Sequence, residues 1–171
     1  IHGGGWRSGN KSRMETFAIE VASKGYSCFN IEFRLSMEAQ YPAAIFDVKK
    51  AIQYIKANAK KFNVDTGKIA VLGCSSGGQM AALIGTTNGK PNFEETDKKA
   101  KFSSNVNAII DVDGILAFKH PESAEGKVAG QWLGGSYEEI PTIWEQASPL
   151  HNTDKNTLPV LFINSSIPRF H

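Results

Sequence analysis

Short apolar runs and longer amphipathic stretches alternate along the chain. Residues 68–73, 106–113 and 158–164 each read as a strand, and so do residues 26–33, where polar residues fall on one side near the end. Ile1 reads as the last residue of another strand, because it leads straight into the glycine-rich loop of residues 2–9. Between these runs the period changes. Met14, Phe17, Ala18, Val21 and Ala22 recur at helical spacing over 12–24, and Gly25 stops them. Residues 43–62 predict one long helix, with Ala44, Val48, Ile52, Ile55 and Ala59 on its apolar stripe. Lys49, Lys50, Gln53, Lys56 and Lys60 are expected to face water, and Pro42 suits the helix start. A turn is expected at 63–67, a helix at 76–85 and a polar surface connection at 86–105. Residues 114–155 read as irregular, with Trp132 and Trp144 available for burial. Strands that alternate with helices place the chain in the α/β class with a mainly parallel sheet.

The most informative stretch is Ile69 to Leu83. An apolar run ends in Gly73-Cys74-Ser75-Ser76-Gly77, and good helix formers follow. The five residues fit G-x-S-x-G, a strand-to-helix turn that holds its serine on strained backbone with the hydroxyl above the sheet. The turn is so tight that side chains two before and two after the serine would collide, which is why glycine stands at both. The helix behind it directs N–H groups toward developing negative charge. Read alone, the five residues also fit an ordinary βα turn. The flanking elements, and His2-Gly3-Gly4-Gly5-Trp6 upstream, favour the nucleophile turn, since an HGGG-type loop is the usual partner donor of an oxyanion hole.

Composition narrows the classes. The chain has 171 residues, 41% hydrophobic and 21% charged, with a formal charge of +2, as expected of one globular domain with a real core. No basic patch with interleaved aromatics points to nucleic acid. Lys98-Lys99-Ala100-Lys101 reads as a solvated loop. No apolar run reaches membrane-spanning length. Two cysteines make no disulfide framework; Cys28 reads as a buried strand residue and Cys74 as a neighbour of the reactive serine. The four histidines are scattered and no C-x-x-C occurs, so no metal site is expected. Both ends read as positions inside a fold, and the chain is expected to be the central portion of a longer protein.

His2-Gly3-Gly4-Gly5-Trp6, Arg34-Leu35-Ser36, Tyr41-Pro42-Ala43-Ala44 with Asp47-Val48, Gly73 to Gly78, Leu133-Gly134-Gly135 and Ala147-Ser148-Pro149-Leu150 together resemble the α/β-hydrolase esterase/lipase superfamily. Within it they are most similar to bacterial carbohydrate esterases of the acetyl-xylan and feruloyl type, beside the hormone-sensitive-lipase-like esterases. The resemblance implies an α/β-hydrolase fold with helices on both faces of the sheet. Residues 1–171 would then be a partial catalytic domain, with 117–150 as a cap insertion or a plain surface excursion. It implies a serine hydrolase that cleaves carboxylic esters through an acyl-enzyme. Ser75 would be the nucleophile, and the N–H groups of Ser76, Gly4 and Gly5 the oxyanion hole. Trp6 and Cys74 would border the pocket. His2 would shape its loop, and Arg34 and Asp47 would pair structurally.

No Asp or Glu follows Asp154, so the triad acid and histidine are expected beyond residue 171. Asp113 is the in-chain alternative for the acid. His120 and His151 would act only if the insertion folded back, and His171 is expected in the loop before the acid. The implied substrate is an acylated plant polysaccharide or a small ester, with no cofactor, no metal and no nucleic acid partner. A periplasmic or secreted location goes with that substrate, and the oligomeric state is left open. A peptidase or formamidase on the same fold, and a hydrolase-fold protein that only binds its ligand, are the alternatives.

Overall fold

A computed structural model describes residues 1–94, 101–120 and 126–165. Most of the lysine run at 98–101, and His171, lie outside the described residues. Three strands, β1 (Ala70–Cys74), β2 (Ala108–Val112) and β3 (Val160–Ile163), form a parallel sheet in the order β1-β2-β3. Val71 pairs with Ile109 and Gly73 with Asp111, so these four alternate positions share one face. Ile1 sits on the free side of β1: its N–H donates to Leu72 O at 2.6 Å and its carbonyl accepts from Cys74 N at 3.3 Å, the bond pair of a parallel bridge. The expected strand before the glycine-rich loop is visible in that one residue.

Helix α4 (Ser76–Thr86) lies across β1 and β2, and every one of its residues is buried. Gly85 lets the helix approach the sheet, since a methyl there would lie 2.3 Å from Ile109 Cγ1. Helix α2 (Ala43–Ala57) buries Ala44, Val48, Ile52 and Ile55, the stripe read from the sequence. It stops earlier than expected. Asn58 turns its side-chain amide back onto Tyr54 O at 2.9 Å, and the short helix α3 (Ala59–Phe62) follows, closed by Asn63 at φ 52°. Lys49 does not face water: it is 3% exposed, and its ammonium meets Glu94 at 2.8 Å. Ser104 donates to the same carboxylate at 2.6 Å, so the buried charge is both paired and hydrogen-bonded.

Two more expectations are corrected. The helix at 12–24 opens as a 3-10 turn capped by Asn10 and continues as α1 (Glu15–Ala22), but none of its residues is buried, and Phe17 and Ile19 face outward. Residues 26–33 are extended but join no ladder among the described residues, and Cys28 is exposed. The strand read from the sequence there corresponds to extended backbone without the ladder neighbours that would bury it.

After β2 the described residues hold more secondary structure than their composition suggests. They include α5 (Gly126–Leu133), α6 (Pro141–Ala147) and a 3-10 turn at Pro149–Asn152. Trp132 is fully buried. It stacks on Trp6 at 5.1 Å between ring centroids and meets Tyr41 edge-on at the same distance. Trp144, Phe118 and Ala147 join the same core cluster.

Candidate active site

The site grows from the end of β1. Ser75 has φ 55° and ψ −123°, a conformation rare outside glycine, while Ser76 already begins α4. Its backbone is held from two sides: Ser75 N donates to Val112 O at 2.8 Å, and Gln79 N donates to Ser75 O at 3.0 Å. Ser75 is exposed, whereas Ser76 is buried behind it. The two flanking glycines are sterically required. A methyl at Gly73 would stand 1.9 Å from Gly77 O, and one at Gly77 would stand 2.5 Å from His2 O.

That second contact shows how the two motifs meet. The glycine-rich loop lies directly against the turn, and a methyl on Gly3 would be 3.2 Å from Ser75 Cβ. Gly4, Gly5 and Trp6 all have positive φ, at 139°, 59° and 58°. Gly4 O accepts from Arg7 N and Ser8 N, which closes the loop on itself. His2 is buried under it, with Nδ1 2.9 Å from Gly3 O and its ring stacked on Phe33 at 4.4 Å. The expected loop-shaping place for His2 is the observed one.

The other sequence-derived candidates fall as follows. Trp6 is buried against Trp132 and Phe118, and its indole N–H donates to Gln79 at 2.9 Å. Its ring fills the core beneath the loop because Trp132 and Phe118 offer it apolar cover. Cys74 is half-buried beside Ser75. Burial pushes its thiol up, and the charges of Asp111 and Asp113 add to the rise, so it stays a protonated neighbour at neutral pH. Asp113, at φ 50°, accepts from Ser165 N at 2.7 Å and caps the end of β3. His120 and His151 are exposed on the segment after β2, and among the described residues neither they nor His2 are paired with Ser75. Arg34 and Asp47 pair as expected, through two guanidinium nitrogens and the Arg34 backbone N–H.

Two features escaped the sequence reading. Asp111 lies beneath the turn, 1% exposed, with Oδ1 lacking a hydrogen-bond partner. Burial raises its pKa to about 6, opposed by the Gly114 N–H and reinforced by Asp113. Gly78 and Gly114 leave it room, since a methyl on either would collide with Oδ1, at 2.3 and 2.0 Å. Gln79 is the second. A polar residue ahead of Met80-Ala81-Ala82-Leu83-Ile84 had to be bonded, and that was the available signal.

A cleft of about 820 Å³ opens between α5 and α6, lined among others by Gln40, Lys119, Gln131, Tyr137 and Trp144. Lys127, Gly130 and Gln131 share the face of α5 that borders it, while Val128 and Trp132 turn toward Gly5 and Trp6. Among the described residues, no group of three or more His, Cys, Asp or Glu side chains could hold a metal ion, and no helix is long and apolar enough to cross a membrane.

Residues 1–167 match the BD-FAE family model. The chain is 29% identical to Esterase LipC of Mycobacterium tuberculosis over 173 aligned residues, covering 97% of this chain and 42% of LipC. It thus spans less than half the length of that curated relative. Among solved structures, it superposes on a bifunctional GH43-CE protein of Bacteroides eggerthii with TM-score 0.87 at 29% identity, covering 99% of this chain and 27% of that one. A truncated carbohydrate esterase from gut microbiota gives TM-score 0.80 at 29% identity, over 99% of this chain and 67% of the other. On the serine turn, the glycine-rich loop set against it and these matches, the chain belongs to the BD-FAE family and carries the α/β-hydrolase fold of esterases.

Proposed function

We propose that the natural protein is a serine esterase that removes an acyl group, acetyl or feruloyl, from a plant polysaccharide or a small ester. The observation that carries this reading is the exposed Ser75 at positive φ, with the glycine-rich loop packed against its Cβ. Ser75 Oγ attacks the ester carbonyl, and the alcohol leaves with the proton taken from Ser75. Water then attacks the acyl-enzyme and releases the acid. The N–H groups of Ser76, Gly4 and Gly5 receive the oxyanion, each of the order of 3–4 kcal/mol in comparable sites. The base is a histidine oriented by a carboxylate, both from the part of the protein beyond residue 171. Residues 117–150 form the cap above the acyl pocket, within a catalytic domain that this chain fills in part. The carbohydrate-esterase neighbours support the polysaccharide side of the substrate.

The test is hydrolysis of p-nitrophenyl acetate by the whole natural protein and by Ser75→Ala. Activity should fall by about four orders of magnitude or more with Ser75 removed, in a variant that stays folded. Equal turnover by both proteins would refute the assignment. Release of acetate from acetylated xylan, compared with release of amine from matching amides, separates an esterase from a peptidase or formamidase on the same fold.

A further inference from the structure

Gln79 makes three hydrogen bonds to three different parts of the molecule. Its backbone N–H donates to Ser75 O at 3.0 Å. Its side-chain Oε1 accepts from Trp6 Nε1 at 2.9 Å, and its Nε2 donates to Ala147 O at 2.8 Å. The residue is fully buried, so no water competes for these groups. An indole nitrogen only donates and a backbone carbonyl only accepts. The amide orientation is thereby forced, and the position needs one acceptor and one donor at the end of a two-methylene stem. Glutamate offers no donor when ionised, and leucine offers neither group.

We infer that Gln79 is a positioning residue: it ties the glycine-rich loop and the 117–150 segment to the first turn of α4 and so fixes the loop's approach to Ser75. The inference rests on the proposed esterase reading and adds a residue to it. Trp6 follows Gly4 and Gly5 directly, so holding its indole fixes the C-terminal end of the segment that supplies the oxyanion donors. Ala147 ends α6, so the same amide anchors the base of the insertion. A donor displaced by an ångström stabilises an oxyanion poorly while barely changing ground-state binding, and the loss falls on kcat.

The experiment uses the whole natural protein, with kcat and KM for p-nitrophenyl acetate. Trp6→Phe removes the N–H and keeps the ring stack; Gln79→Leu removes both amide groups. Each should lower kcat by roughly 10- to 100-fold with KM changed less than about threefold, and the double variant should be no worse than the poorer single. Should Gln79→Leu fail to fold, Gln79→Glu keeps the size and the acceptor and carries the test. Folded variants with kcat within about twofold of the parent, or losses that multiply in the double variant, would overturn the inference and leave the esterase reading intact. A parent without Ser75-dependent turnover would overturn both.

Discussion

Ser75 at φ 55° explains its own neighbours. Strand β1 must end and α4 begin within one residue, so the carbonyl of Gly77 comes to where a side chain at Gly73 would be. Gly73→Ala is therefore predicted to cost about 3 kcal/mol or more in urea unfolding, well above an ordinary surface substitution. A cost below about 1 kcal/mol would show that the turn can relax. This part of the site was legible in the sequence, because sterics allow only glycine at those places. Trp6 and Gln79 were not, since what they do depends on which elements meet in space. A tryptophan after a glycine-rich loop does not show in the sequence what its ring packs on, and only the stacked Trp132 places that ring in the core cluster.

At the scale of elements, two carboxylates face opposite electrostatic problems. Burial tends to raise Asp47, but the hydrogen bonds and charge of Arg34 outweigh it and hold the carboxyl below its usual range. Its bonds join the stretch after residue 33 to α2, so Asp47→Asn should destabilise by roughly 1–2 kcal/mol at neutral pH. That difference should fade as the pH falls and the parent carboxylate takes up its proton. Asp111 runs the other way. Its carboxyl holds a proton to about pH 6 against an ordinary 3.8, so the fold loses stability as the pH rises between those values. Asp111→Asn lacks the penalty, and its melting temperature relative to the parent should climb between about pH 4 and pH 6 and then level off. A gap that does not change with pH would contradict a shifted carboxyl. Element types were readable from periodicity, whereas their ends and burial were less so. Lys49 looks like a solvent-facing position by spacing alone and is buried because Glu94 and Ser104 close over it.

At the scale of the molecule, the segment after β2 is part of the core. Trp132, Trp144 and Ala147 are buried in the same cluster as Trp6 and Met80, so the segment and the serine turn share one interior. Trp132→Ala should cost about 3–5 kcal/mol, the range for emptying a fully buried tryptophan site. A loss under about 1 kcal/mol would make the segment a surface excursion after all. The sequence reading left this open because two tryptophans in an irregular stretch do not say what they pack against.

The central claim is that Ser75 Oγ forms the covalent intermediate. Its most direct measurement is peptide mapping of the whole natural protein after inactivation by a fluorophosphonate. The account predicts one organophosphorus adduct, on the peptide that carries Ser75, and none in Ser75→Ala. An adduct on another residue, or ester hydrolysis that proceeds unchanged after stoichiometric labelling, would contradict it.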